Sequence, residues 1–205
     1  MSGIIAQNIN RHSGLLKAPE GGGSAVWNLI ETQTASSSST ISFTSGIDST
    51  YDEYVFKFYN IHPATDRAFL QFQVDTGTNT NYNQTITSTY YHVFHDEADS
   101  NTALNYVASK DQAQGTAFQT ISYNTGNGND ECSDGELQLF APASTTFVKN
   151  FMSTFQTADD AGFSDNPYCA GYINTTTALT RVQFKFSSGN IDSGQISLFG
   201  ISWLN

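Results

Sequence analysis

CAGYINTTTALTRVQFKFSSGNIDSGQISLFGIS, residues 169–202, is the stretch whose reading decides the fold. It reads as three consecutive β-strands separated by Asn, Ser and Gly breaks. Phe184 and Phe186 alternate with Lys185, and Ile196 and Leu198 alternate with Ser197. That period of two puts apolar groups on one face of a sheet and polar groups on the other. Residues 175–177 and 187–190 supply the turns. The stretch contains no spacing that would build an active site, so it reads as sheet that presents a surface.

The same pattern extends toward the N-terminus. Strands are expected at residues 27–34, 40–44, 51–61, 69–74, 85–94, 117–123, 136–140 and 146–156. The strongest is YDEYVFKFYNI (51–61), with Tyr54, Phe56 and Phe58 on one face and Val55 and Tyr59 on the other. His62-Pro63 ends it, because proline lacks the N–H that a ladder needs. Residues 95–115 are polar and loop-like, with room for one helical turn. No long segment has helical periodicity, which argues against folds with crossover helices. The expected fold is all-β, an antiparallel β-sandwich of jelly-roll type, in one domain over residues 26–205.

Residues 1–25 form a separate leader, MSGIIAQNINRHSGLLKAPEGGGSA. Ile4, Ile5 and Ile9 make one small apolar cluster, and Leu15 and Leu16 another. Gly21, Gly22 and Gly23 follow Pro19 as a hinge. Clusters this short cannot bury themselves, so the leader is expected to be an extended anchoring arm. The bland alternative is a frayed terminus.

Composition limits the partners. Eight Lys and Arg against 19 Asp and Glu give a net charge of −11. Nucleic acid and anionic lipid both require clustered cations, so neither is expected as a partner. No stretch approaches the apolar length of a membrane span. Residues 1–16 lack the basic start and apolar run of a signal peptide, so synthesis in a cytoplasm is expected, with Cys132 and Cys169 as free thiols. Asn83-Gln-Thr and Asn174-Thr-Thr then fit the glycosylation triplet only incidentally.

Catalytic and metal chemistry find little purchase. His92 and His95 fall on opposite faces of a strand and do not converge on an ion. Residues 129–136, NDECSDGE, concentrate carboxylates, but without the alternation of a calcium loop; they read as solvated. Asp159, Asp160 and Asp165 read as a second solvated acidic loop. No nucleophile elbow or phosphate-cradling motif is present. No cofactor and no catalytic residue are therefore expected. A carboxylate pair for glycoside cleavage is set by distance in space, which keeps a polysaccharide-degrading glycosidase as a weaker alternative. Tyr82, Tyr90, Tyr91, Tyr106 and Tyr123 lie in or near loops and polar strands, where ring faces can stack on sugars. The competing expectation is that most pack on the sheet.

Four segments resemble a family of virion structural proteins from marine tailed bacteriophages, including phages of cyanobacteria. They are TASSSSTISFTSGIDSTYDEYVFKFYNIHPATD (34–66), YYHVFHDEAD (90–99), DQAQGTAFQTIS (111–122) and the 169–202 stretch, and the likeness covers residues 26–202. The start SGIIAQNI is similar to short N-terminal arms in that family. The resemblance implies a non-enzymatic component of the virion surface, most readily a head decoration or fibre subunit docked through its arm. The alternative is a tail fibre or receptor-binding module that takes a host-surface glycan. Its partners would be capsid or tail subunits and copies of itself, as a trimer first and a pentamer second.

Overall fold

The computed structural model describes residues 25–203. Ile4, Ile5, Ile9, Leu15, Leu16, Gly21, Gly22 and Gly23, assigned above to the arm and hinge, lie outside the described residues. Twelve strands run in chain order: β1 (Ala25–Thr34), β2 (Ile41–Phe43), β3 (Glu53–Pro63), β4 (Leu70–Thr76), β5 (Ile86–Asp96), β6 (Thr102–Tyr106), β7 (Gln119–Thr120), β8 (Ser133–Phe140), β9 (Lys149–Ala158), β10 (Phe163–Ile173), β11 (Leu179–Phe186) and β12 (Ile191–Trp203). Among the described residues there is no α-helix. The expectation of an all-β, antiparallel sandwich holds.

The strands form an eight-stranded sheet, β1-β12-β3-β8-β9-β10-β5-β6, and a four-stranded sheet, β2-β11-β4-β7. All pairings are antiparallel. The three strands expected in residues 169–202 are the end of β10, then β11 and β12, so the stretch contributes to both sheets.

Aromatic rings fill the space between the sheets. Phe184 of β11 meets Phe56 and Phe58 of β3 edge-on at centroid distances of 5.1 and 5.0 Å. Phe43 of β2 meets Phe56 at 5.1 Å, and Phe72 of β4 meets Phe151 of β9 at 5.0 Å. All six rings are buried. Edge-to-face contacts add to the transfer free energy of each ring, about 1.5–3 kcal/mol for full burial.

Simple alternation fails in the middle of β3, with a defined cause. β3 is bulged between Phe58 and Ile61, where Asn60 has φ 49°. β12 is bulged opposite, where Gly194 has φ 117°. The extra residue returns Ile61 to the core and leaves Tyr59 and Asn60 exposed. Asp134 Oδ1 accepts the Asn60 N–H at 2.7 Å, so the donor freed by the bulge is satisfied.

Four strands cannot cover eight. The smaller sheet ends at β7, which reaches β5 only as far as Ser88, whose Oγ donates to Gln119 Oε1 at 2.7 Å. Beyond that point the inner face of β5, β6 and β10 is covered by the chain that follows β7. Tyr90 Oη donates to Ser122 O at 2.9 Å, and the Tyr123 ring lies over His92. The overhang places His92, Asp96 and Asp165 on the inner face of the larger sheet.

Candidate functional site

Along β5 the inward positions read Ile86, Ser88, Tyr90, His92, Phe94 and Asp96; along antiparallel β10 they read Ile173, Gly171, Cys169, Pro167, Asp165 and Phe163. Both series pass from apolar to polar in the same direction. At the polar end lies a cavity of about 320 Å³, lined by His92, Phe94, Asp165 and Phe163 from the sheet and by Tyr123 and Asn124 from the covering loop. Arg67, Asn101, Asn105 and Asp159 complete its rim.

A buried, hydrogen-bonded His–Asp pair forms the floor. Asp165 Oδ1 lies 2.6 Å from His92 Nδ1, and both side chains are almost wholly shielded from solvent. The register of β10 against β5 produces this contact, since Asn166 pairs with Val93 and Pro167 with His92. Burial pushes the Asp165 carboxyl above its ordinary value; the hydrogen bond and charge of His92 pull the other way, and nearby Asp159 adds to the upward push. The imidazole packs against Tyr123 at 4.1 Å between ring centroids.

The covering loop is held from beneath. Ser122, Thr125, Ser133 and Thr157 are buried, and their hydroxyls form a chain with separations of 3.2, 2.7 and 2.8 Å. Thr125 also bridges to Ala68 and to Asp159. Asp159 Oδ1 accepts the N–H groups of Ala161 and Phe163 at 2.9 and 2.8 Å, fixing the turn before β10. Arg67, at φ 57°, donates from Nε to Asp160 Oδ2 at 2.6 Å. Pro167 offers β9 no donor, and in that stretch Asn166 Nδ2 donates to Phe155 O.

The residues singled out in the sequence fall in several places. His92 points inward and His95 outward, as the strand period requires. Asp165 is not in a solvated loop: it is a buried strand residue, and Asp159 is buried as well. The run 129–136 divides, with Asp134 and Glu136 on β8 and Glu131 turned back to accept the Gly128 N–H. Among the described residues, no three His, Cys, Asp or Glu side chains are placed to share a metal ion.

Both cysteines are free thiols. Burial, then the neighbouring Asp134, pushes the Cys132 thiol up to about 11, and burial pushes Cys169 further in the same direction. Neither carries the thiolate character that a nucleophile needs.

The five tyrosines also separate. Tyr82 and Tyr90 are buried. Tyr123 lines the cavity. Tyr91 and Tyr106 pair across β5 and β6 on the outer face, next to Tyr168 of β10. Tyr91 and Tyr168 stack at 5.1 Å, nearly parallel at 13°, so each covers a ring face of the other. Tyr106 Oη is tied to the Asp111 carboxylate.

No protein-family model matches the chain. No curated protein matches it either.

Proposed function

We propose that this chain is a non-enzymatic structural protein of a bacteriophage virion surface, a head decoration or fibre subunit attached through residues 1–25. The observation that carries this reading is the place of β1. Among the described residues it is an edge strand of the larger sheet, and in sequence it follows the leader directly. Its outward side chains remain partly exposed, Trp27 at 48% and Leu29 at 61%. An edge strand presents unpaired N–H and C=O groups, and exposed apolar groups beside them favour a neighbouring chain. The opposite edge, β6, exposes Leu104 at 68%, so both margins suit contact between subunits in a closed ring, a trimer or a pentamer.

The strand order supports the jelly-roll form of this reading. β12 lies between β1 and β3 in one sheet while β11 lies between β2 and β4 in the other, and β8 and β7 continue the two series. That interleaving is the one two nested Greek keys generate. β9, β10, β5 and β6 then widen one sheet.

Removing residues 1–20 tests the anchoring role. The truncated protein should keep its far-ultraviolet spectrum and melting temperature, and should be missing from particles purified after infection. Incorporation of the truncated chain at the full-length level would remove the arm from the attachment mechanism.

A further inference from the structure

We propose that the cavity between β5, β6, β10 and the 121–126 loop binds the terminal residue of a neutral saccharide. This site is independent of how the subunit is anchored. Its volume, about 320 Å³, lies at the lower end of the range for small-molecule sites, roughly 300–1,000 Å³. Phe94, Phe163 and Tyr123 line it with rings, and Asn101, Asn105 and Asn124 with amides. A sugar has an apolar C–H face and hydroxyls that both donate and accept. Rings match the first, and amides, which carry donors and an acceptor in one plane, match the second. Among the described residues none of these three amides makes a side-chain hydrogen bond within the protein, which leaves their donors and acceptors free for a ligand.

Charge narrows the ligand class. Arg67 Nε is tied to Asp160 and His92 to Asp165, so each cationic group of the lining already faces a carboxylate and the site carries no excess of positive charge. Asp165 Oδ1 is engaged by His92, and Asp159 Oδ1 by two backbone N–H groups, so both carboxylates are held by the protein's own donors. The site is also built in advance. The hydroxyl chain under Thr125 and the packing of Tyr123 on His92 and Phe69 hold the loop side in place. A preorganised lining loses less ordering entropy on binding. The outer tyrosines are the rival surface, but Tyr91 and Tyr168 cover each other.

The full chain is applied to an array of neutral oligosaccharides ending in glucose, galactose, mannose, rhamnose, N-acetylglucosamine or N-acetylgalactosamine, with sialylated and sulfated glycans alongside. The best probe is then titrated by calorimetry against Asn105→Ala, Asn124→Gly and Tyr106→Ala. Asn124 has φ 40°, so glycine keeps its backbone and removes only the amide. Thermal melts establish that each variant is folded. The expected result is binding of a neutral probe, at least tenfold weaker in each Asn variant, about 1.4 kcal/mol, and unchanged in Tyr106→Ala. The proposal is overturned by no binding across the array, by binding confined to anionic glycans, by affinity that survives both Asn variants, or by loss in Tyr106→Ala alone.

Discussion

Phe184→Ala is expected to remove about 3–5 kcal/mol of stability and to lower the melting temperature by roughly 10 °C. Phe184 is the ring that joins the two sheets at their centre. It meets Phe43, Phe56 and Phe58 edge-on, at 6.2, 5.1 and 5.0 Å between centroids. Truncation removes the transfer free energy of the ring and leaves a cavity. Its walls are rings held on separate strands, β2 and β3, and strands fixed by ladders cannot collapse freely into the gap. Phe147 supplies the comparison: it is 72% exposed, and its replacement by alanine should fall within roughly 0.5 kcal/mol of neutral. Urea unfolding of the two variants measures both. Equal small losses would mean that the ring cluster is not the centre of the core.

Gly194→Ala is expected to destabilise by more than the roughly 1–3 kcal/mol of backbone strain alone. Gly194 sits in the β12 bulge at φ 117°, a conformation that residues with a Cβ rarely adopt. An added Cβ would stand 2.6 Å from Asn60 O and 2.9 Å from Ile61 Cα. Both obstacles are backbone, and a side-chain rotation cannot relieve them. β3 would have to move, and with it Ile61, whose return to the core depends on the paired bulges. Gly77, at φ 57°, has nothing within 4 Å of its Cβ position, so Gly77→Ala gives the cost of an ordinary left-handed backbone with no collision. The difference between the two variants in unfolding free energy, read from denaturant titration, should be at least as large as the roughly 1–3 kcal/mol of strain. Identical midpoints would show that the bulge opens without consequence.

The strands legible in the sequence are those with one buried face. β3, β9, β11 and β12 alternate because one side meets a second sheet. β6 escaped notice inside the stretch 95–115, since an edge strand on an overhang buries almost nothing: Leu104, Asn105 and Tyr106 are all exposed. Without burial there is no reason for apolar and polar residues to alternate, and periodicity carries no signal. The start of β10 was hidden for the opposite reason. Phe163, Asp165 and Pro167 do alternate inward, but a carboxylate and a proline at those positions read as a loop.

The cavity was hidden because it depends on register. Reading residues 159–165 as a run of acids treats them as neighbours in sequence, and like charges in sequence are ordinarily solvated. Pairing β10 against β5 separates them and sets Asp165 beside His92, 73 positions away in the chain. The strand period puts His92 on the face opposite His95, and the one clue to its partner is parity. Asp165 shares its inward phase with Cys169 and Ile173, so a carboxylate on that phase had to find a partner inside.

Cryo-electron microscopy of particles purified after infection tests the central claim most directly. The expected map contains a two-sheet body matching residues 25–203 on the particle surface, repeated around a symmetry axis, with the β1 edge turned toward the subunit that receives the leader. A map with no such density, from particles that also lack the chain by mass spectrometry, would contradict a role in attachment and display.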